Sequence, residues 1–219
     1  MKTSSVKPRC KIPFAVLRIL SWTVLKVGFC FKIKGQQHLK ETDGKGPLIL
    51  AGNHTGLLDS LIVLAAFPRQ FYFLMHETVF TWAFVGKLVG WGNIVPLNPE
   101  QPKASLAKTL ALLKAGTPIC IFPEGKLSRD GEMNPFSDGV AFLQQKSNAA
   151  ILPFCIIGGF RAWREGTRWP KFTPVTLVFG APIYPGVLPN HHKRAEITGL
   201  LKARIQALQV QHVRQITRY

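Results

Sequence analysis

Apolar and polar positions along this chain follow two periods. Short runs in which almost every residue is apolar, Leu48–Ala51, Phe71–Met75, Ile119–Phe122, Ile151–Ile157 and Val175–Phe179, predict strands buried on both faces. Phe29–Lys34 alternates instead, with Phe29, Phe31 and Ile33 on one side and Cys30, Lys32 and Lys34 on the other, as a half-buried strand does. Between the strands the helical period takes over. Leu61–Ala66 reads as the body of a short helix, Thr78–Trp91 as an apolar one carrying Phe80, Trp82, Phe84, Val85, Leu88 and Val89. Gln101–Ala115 sets Leu106, Leu110 and Leu113 on one side, with Lys103, Lys108 and Lys114 outside it. Phe136–Lys146 and a basic His191–Tyr219, with Leu200, Leu201, Ile205 and Leu208, complete the helices, and Gly35–Gly46 reads as a polar loop. Two βα units in this order predict an α/β fold: one domain, a mixed and mostly parallel sheet, helices on its flanks.

The N-terminal part stands apart from this pattern. Residues 1–11 carry Lys2, Lys7, Arg9 and Lys11 and no acid; Ile12–Ile33 is then mostly apolar. A signal peptide lacks its small-residue cleavage site here. A membrane span has the length, but Arg18 and Lys26 would cost roughly 2.5–3.5 kcal/mol each at the bilayer centre. On a helix those two cations lie about 80° apart with Trp22 between them, which predicts a helix in the membrane interface, basic side up and apolar side down. The alternative is an amphipathic helix packed on its own domain. The expected division is therefore a leader and anchoring helix over 1–33 and the α/β domain, with its basic C-terminal helix, over 34–219.

Charge sharpens this reading. Of 219 residues, 28 are Lys or Arg and 11 are Asp or Glu, a net charge of +17. Such a balance suits an anionic membrane surface, phosphorylated substrates or nucleic acid. Between Phe160 and Lys171, Arg161, Trp163, Arg164, Arg168 and Trp169 interleave basic and aromatic side chains, a pattern shared by nucleic-acid grooves and by interfacial loops. With no nucleic-acid reader motif present, no nucleic-acid partner is expected. Cys10, Cys30, Cys120 and Cys155 have no CxxC spacing, which argues against a zinc site or a disulfide framework and fits a domain facing the cytosol.

Candidate chemistry lies after two of the buried runs. His54 follows the strand Leu48–Ala51, and Asp59 comes five residues later at the start of a helix. Five residues of helix would turn the two side chains roughly 140° apart, so they meet only if His54 sits in the turn before the helix. There Asp59 accepts from one ring nitrogen and frees the other to take a proton. A helix cap and a surface histidine are the plainer uses of the same residues. Ile119–Phe122 leads in the same way into Pro123-Glu124-Gly125 and a basic loop with Lys126, Ser128, Arg129 and Gly131. Its glycines let backbone approach a ligand, and its cations suit phosphate oxygens or plain solvent.

Asn53, His54 and Asp59 in the spacing NHxxxxD, followed by Phe122-Pro123-Glu124-Gly125, resemble the first and third blocks of the glycerolipid acyltransferase family, which includes the lysophosphatidic acid acyltransferases. The resemblance runs over about residues 30 to 185. It implies transfer of a fatty acyl group from acyl-CoA or acyl carrier protein to a lysophospholipid hydroxyl, 1-acyl-glycerol-3-phosphate first among acceptors, in phospholipid synthesis at the cytoplasmic face of a membrane. His54 and Asp59 would be catalytic, and Asn53, Glu124, Gly125, Lys126 and Arg129 would bind substrate, Glu124 at the acceptor's glycerol or as an organiser of the loop. Backbone amides including that of Gly125 would meet the oxyanion. No metal or further cofactor is implied, and no G-x-S-x-G elbow offers a serine nucleophile. Two departures stand out. Asn98 replaces the arginine that usually closes the second block, and Lys126-Leu127 replaces the usual Thr-Arg, which brings the loop closer to the acyl-glycerophosphoethanolamine branch. Pro153 resembles the fourth block, or is an edge-strand proline. The rival class is a lipid-binding protein that has kept the fold without turnover.

Overall fold

The computed structural model describes residues 14–76, 93–97, 100, 102–187 and 193–216, the last four of these and 102 by backbone alone. The expected helix Thr78–Trp91, the basic leader, Cys10 and Asn98 lie outside the described residues. The described helices are α1 (Phe14–Phe29), α2 (Gln37–Thr42), α3 (Asp59–Ala66), α4 (Pro102–Lys114), α5 (Gly139–Ser147), α6 (Gly159–Trp163) and α7 (Arg194–Ile216). The strands are β1 (Lys32–Lys34), β2 (Leu48–Gly52), β3 (Tyr72–His76), β4 (Ile94–Leu97), β5 (Ile119–Ile121), β6 (Ala150–Ile157) and β7 (Thr176–Phe179).

They form one seven-stranded sheet in the order β1-β7-β6-β2-β5-β3-β4. Every neighbouring pair is parallel except β6 and β7. A parallel sheet needs cover on both faces, which is why its central strands are apolar throughout rather than alternating. Leu48 and Leu50 of β2, Cys120 of β5 and Leu152, Phe154 and Ile156 of β6 point to the side of α1 and α3. Ile49, Ala51, Ile119, Ile121, Ile151 and Cys155 point to the other side, onto Leu113 of α4, Val140 and Leu143 of α5 and Leu201 and Ile205 of α7. Burial of each large side chain stabilises the fold by about 1.5–3 kcal/mol.

Three details depart from the sequence pattern. The expected loop Gly35–Gly46 contains α2, whose single turn and a half buries only Thr42. Ile94–Leu97 is a strand despite Pro96, because β4 is the edge of the sheet and its free side needs no donor. Pro153, in contrast, is no edge proline: β6 lies between β2 and β7. Ile151, two residues earlier and so with its N–H on the same side of the strand, donates to Ile183 O, while Gly180 N–H donates to Pro153 O. The missing donor of Pro153 faces the gap between Ile183 and the end of β7, where no ladder bond is needed.

α1 packs on the domain along one stripe. Leu17, Ser21, Leu25 and Phe29, four residues apart, are buried against the domain. The opposite side carries Val16, Ile19, Leu20, Trp22, Val24 and Val27, from 44% to 81% exposed. Outward, then, the helix is mostly apolar; Arg18 is half-buried, and Lys26 is exposed and reaches back to Phe31 O at 3.5 Å. No helix among the described residues is long and apolar enough to cross a membrane.

Candidate active site

Parallel β2, β5 and β6 end side by side, and their carboxyl ends carry the residues singled out above. Such ends are where open α/β sheets bind ligands. Gly52 closes β2 and the chain turns through Asn53–Leu58 before α3 begins at Asp59. His54 therefore stands in the turn ahead of the helix, the only placement that lets it meet Asp59. His54 Nδ1 lies 3.0 Å from Asp59 Oδ2. The same oxygen accepts the N–H groups of Thr55 at 2.6 Å and Gly56 at 2.9 Å. Asp59 is fully buried and His54 is 21% exposed. An acceptor at Nδ1 places the ring proton there and leaves Nε2 as the free base. Phe122, at the end of β5, stacks on the imidazole with centroids 4.1 Å apart and planes 11° from parallel. The ring is thus held in its plane by one contact and along its Nδ1 edge by another.

Glu124 couples the two motifs. Its Oε1 accepts His54 N–H at 2.8 Å, and its Oε2 accepts both the backbone N–H and the Nδ2–H of Asn134, each at 2.8 Å. Ser128 N–H donates to His54 O at 2.9 Å. The peptide groups on both sides of His54 are therefore pinned by the loop after β5. Asn53 has a comparable use on the other flank: its Nδ2–H donates to Ile156 O at 3.0 Å and its Oδ1 accepts Ile156 N–H at 2.7 Å. This amide bracket extends the β2–β6 ladder past Gly52, and Asn53 is buried. Both Asn53 and Glu124 face the protein's own backbone.

The rest of the loop is more open. Gly125 has φ of 67°, a left-handed backbone that suits glycine, and no atom within 4 Å of where a Cβ would stand. Its N–H donates to Phe122 O at 3.0 Å. That bond corrects the expectation that this amide meets an oxyanion. Lys126 and Arg129 are exposed and make no hydrogen bond or ion pair among the described residues. Ser128 organises the far side, its Oγ accepting Gly131 N–H at 2.8 Å and lying 3.2 Å from Asp130 Oδ1. The Glu132 N–H and then the Ser128 hydroxyl hold the Asp130 carboxyl below its usual value.

From β6, the third strand end, Gly159 closes the site beneath the pair. A Cβ there would come 2.7 Å from both Asp59 Oδ1 and Thr55 Oγ1, and one on Gly56 would come 2.5 Å from Gly159 O. Only glycine at both positions lets the turn and α6 touch. Burial first, and then the charge of Asp59, pushes the neighbouring Cys155 thiol up to about 12. Burial raises Cys120 well above its usual value. Both are packing side chains rather than nucleophiles. Among the described residues no group of three or more His, Cys, Asp or Glu is placed to hold a metal ion. Phe122 as a ring platform, Asn134 as partner of Glu124, and Gly159 were not apparent from sequence; Phe122 and Gly159 act across the sheet and Asn134 folds back within its own loop, where local pattern carries no signal.

The chain has relatives of known description. A 1-acyl-sn-glycerol-3-phosphate acyltransferase of Limnanthes douglasii is 27% identical over 160 residues, 71% of this chain and 55% of that protein. A probable 1-acyl-sn-glycerol-3-phosphate acyltransferase of Mycoplasma pneumoniae is 26% identical over 155 residues, 64% of this chain and 58% of the relative. The chain thus spans about half the length of the curated relatives it matches. Its fold is similar to the crystal structure of the 1-acyl-sn-glycerophosphate (LPA) acyltransferase PlsC from Thermotoga maritima, with a TM-score of 0.71 at 21% identity over 89% of this chain and 79% of that one. The family model described as Acyltransferase matches residues 30–157, which is more than half of the chain and takes in the His54–Asp59 turn and the Glu124 clamp. This chain belongs to the acyltransferase family.

Proposed function

We propose that this chain is a membrane-associated acyltransferase, moving a fatty acyl group from an acyl thioester to the hydroxyl of a lysophospholipid, with 1-acyl-glycerol-3-phosphate as acceptor. The observation that carries the reading is the His54–Asp59 pair at 3.0 Å, its Nε2 edge left for substrate. His54 Nε2 takes the proton of the acceptor hydroxyl as its oxygen attacks the thioester carbonyl. Asp59 stabilises the imidazolium. The tetrahedral intermediate collapses with cleavage of the C–S bond, and the proton passes from Nε2 to the departing thiolate. A new ester and a free thiol result, with no covalent acyl-enzyme. Asn53 and Glu124 act as positioning residues in this scheme, because their side chains hold backbone on either side of His54. Lys126 and Arg129 meet the acceptor phosphate as charge-assisted donors.

The activity for which the relatives from Limnanthes and Mycoplasma are named supports the acceptor. The exposed apolar face of α1 supports membrane association, since a contiguous patch of that kind on a soluble surface marks an interaction site. One observation favours a second reading: Leu127 stands where the family's arginine is usual, which suits a lysolipid with a less anionic head, such as acyl-glycerophosphoethanolamine. Labelled acyl-CoA and acyl carrier protein donors, offered with a panel of lysophospholipids, test both. Preferred turnover of 1-acyl-glycerol-3-phosphate is the expected result. Preference for the ethanolamine lipid selects the second reading, and no product with any pair removes the activity.

A further inference from the structure

Directly after the site, the chain makes a feature that acyl transfer does not use. Lys171 N–H donates to Ala162 O at 2.7 Å, closing residues 163–170 into a compact loop. Trp163 Nε1–H donates to Thr167 O at 3.1 Å inside it. Its outward side chains are of two kinds. Arg164, Arg168 and Lys171 are exposed, with Glu165 as the one acid, and Arg161 stands exposed at the loop's root. Trp169 and Phe172 are 72% and 78% exposed, values that large aromatic rings seldom show on a surface with no partner. Arg164 and Arg168 lie over the faces of Phe160 and Trp169, at 5.8 Å and 5.6 Å.

Position decides what these side chains meet. Phe172 packs on Gly28 and tilts against Phe29 with centroids 5.5 Å apart, so the loop's aromatic tip adjoins α1. Both belong to the same side of the sheet, whereas α4, with its own three lysines, covers the other. At its root the loop is tied to the site: Leu57 N–H donates to Trp163 O at 2.9 Å. We infer that residues 161–172 form a second bilayer contact, selective for anionic headgroups, which continues the apolar face of α1 and seats the His54 turn at headgroup depth. Tryptophan and phenylalanine enter the interfacial region while arginine and lysine pair with anionic headgroups above it. A nucleic-acid groove would use the same residue types, but it has no use for rings placed in line with an apolar helix face. The inference deepens the membrane association proposed above and does not depend on turnover.

Co-sedimentation of the full chain with vesicles of neutral phosphatidylcholine, alone or with about one third phosphatidylglycerol, tests it. The variant R164Q/R168Q/K171Q is expected to bind the anionic vesicles on the order of 100-fold more weakly, from about 5-fold per cation, and the neutral vesicles as before. The charge-matched control K103Q/K108Q/K114Q on α4 is expected to change anionic binding only slightly. W169A/F172A is expected to weaken binding to both vesicles, on the order of 10-fold or more per ring. Equal losses from the loop variant and the α4 control would overturn the inference in favour of net charge alone. So would unchanged binding by the loop variant, or tight binding of the loop to duplex DNA or RNA at physiological salt with none to vesicles. An unsubstituted chain that binds neither vesicle removes membrane association as a whole, an outcome separate from a failure of the loop.

Discussion

In the turn Asn53–Asp59, each side chain that bears on the chemistry is held from more than one direction. In the loop Gly125–Gly131, one strand away, Lys126 and Arg129 are held by nothing among the described residues. His54 has Asp59 on its Nδ1, Phe122 on its ring face, Glu124 on its N–H and Ser128 on its carbonyl. Asp59 accepts three N–H groups on one oxygen while fully buried. The loop cations instead stand in solvent on a backbone whose first residue is a left-handed glycine. A proton-transfer group must be within a few tenths of an ångström of its place before substrate arrives. A phosphate-binding cation can be drawn into place by the charge it meets. The proposed function would thus put rigid chemistry and adjustable recognition on adjacent strand ends of one sheet.

If that contrast is right, substitutions in the turn damage stability and kcat together, and substitutions in the loop shift KM alone. The largest effect belongs to Asp59→Ala, which leaves the buried N–H groups of Thr55 and Gly56 unpaired at about 1–3 kcal/mol each and frees the imidazole to rotate. Thermal unfolding and turnover should both fall steeply; an unchanged melting temperature would break the comparison. Glu124→Ala comes next. It strips the partner from His54 N–H and from both Asn134 donors, for a loss of roughly 2–4 kcal/mol and a lower kcat at nearly constant acceptor KM. If KM rises alone instead, Glu124 binds the acceptor's glycerol directly. Lys126→Ala and Arg129→Ala should each raise the KM for a phosphate-bearing acceptor about 5–10-fold and leave kcat in place, the signature of uniform binding.

The smallest effect concerns pH. The folded-state carboxyl of Asp130 is depressed by the Glu132 N–H and the Ser128 hydroxyl. Its contribution is therefore present above the unfolded value and is lost as pH falls through the lower folded one. Because the group is at the surface, the protection of the Glu132 N–H, its exchange taken relative to an unstructured amide at the same pH, should fall on acidification in the native chain and much less in Asp130→Asn, with little change in global unfolding. An equal response in both would remove Asp130 from the loop's organisation.

The turn was also the more legible of the two in sequence. The five-residue spacing of His54 and Asp59 permits contact in one arrangement alone, and the apolar runs on either side leave no doubt about strand and helix. Ordering of the loop by Glu124 was one of the two uses expected of it, but the partners of Asn53 and Glu124 were not legible: Ile156 and His54 become their neighbours only when β2, β5 and β6 align, and Asn134 does so only when the loop after β5 folds back. The resemblance implied an oxyanion role for the Gly125 amide, yet the turn back to Phe122 occupies its N–H. Likewise, the wheel position of Arg18, Trp22 and Lys26 marks a basic side of α1 but not which of its apolar sides packs; the four-residue stripe Leu17, Ser21, Leu25 and Phe29 takes that place. Spacing within one element is readable locally; the choice among several apolar faces is made by the rest of the fold.

Single-turnover acyl transfer bears most directly on the claim that His54 is the base. The native chain and His54→Ala would each be mixed with a labelled acyl thioester and 1-acyl-glycerol-3-phosphate in vesicles, and the ester product followed with time. Product from the native chain, with a rate at least on the order of 10² to 10⁴-fold lower in a variant that melts at the same temperature, is the predicted result. Comparable rates from native chain and folded His54→Ala would contradict it, and would leave the Asp59 pair as a structural feature of the turn.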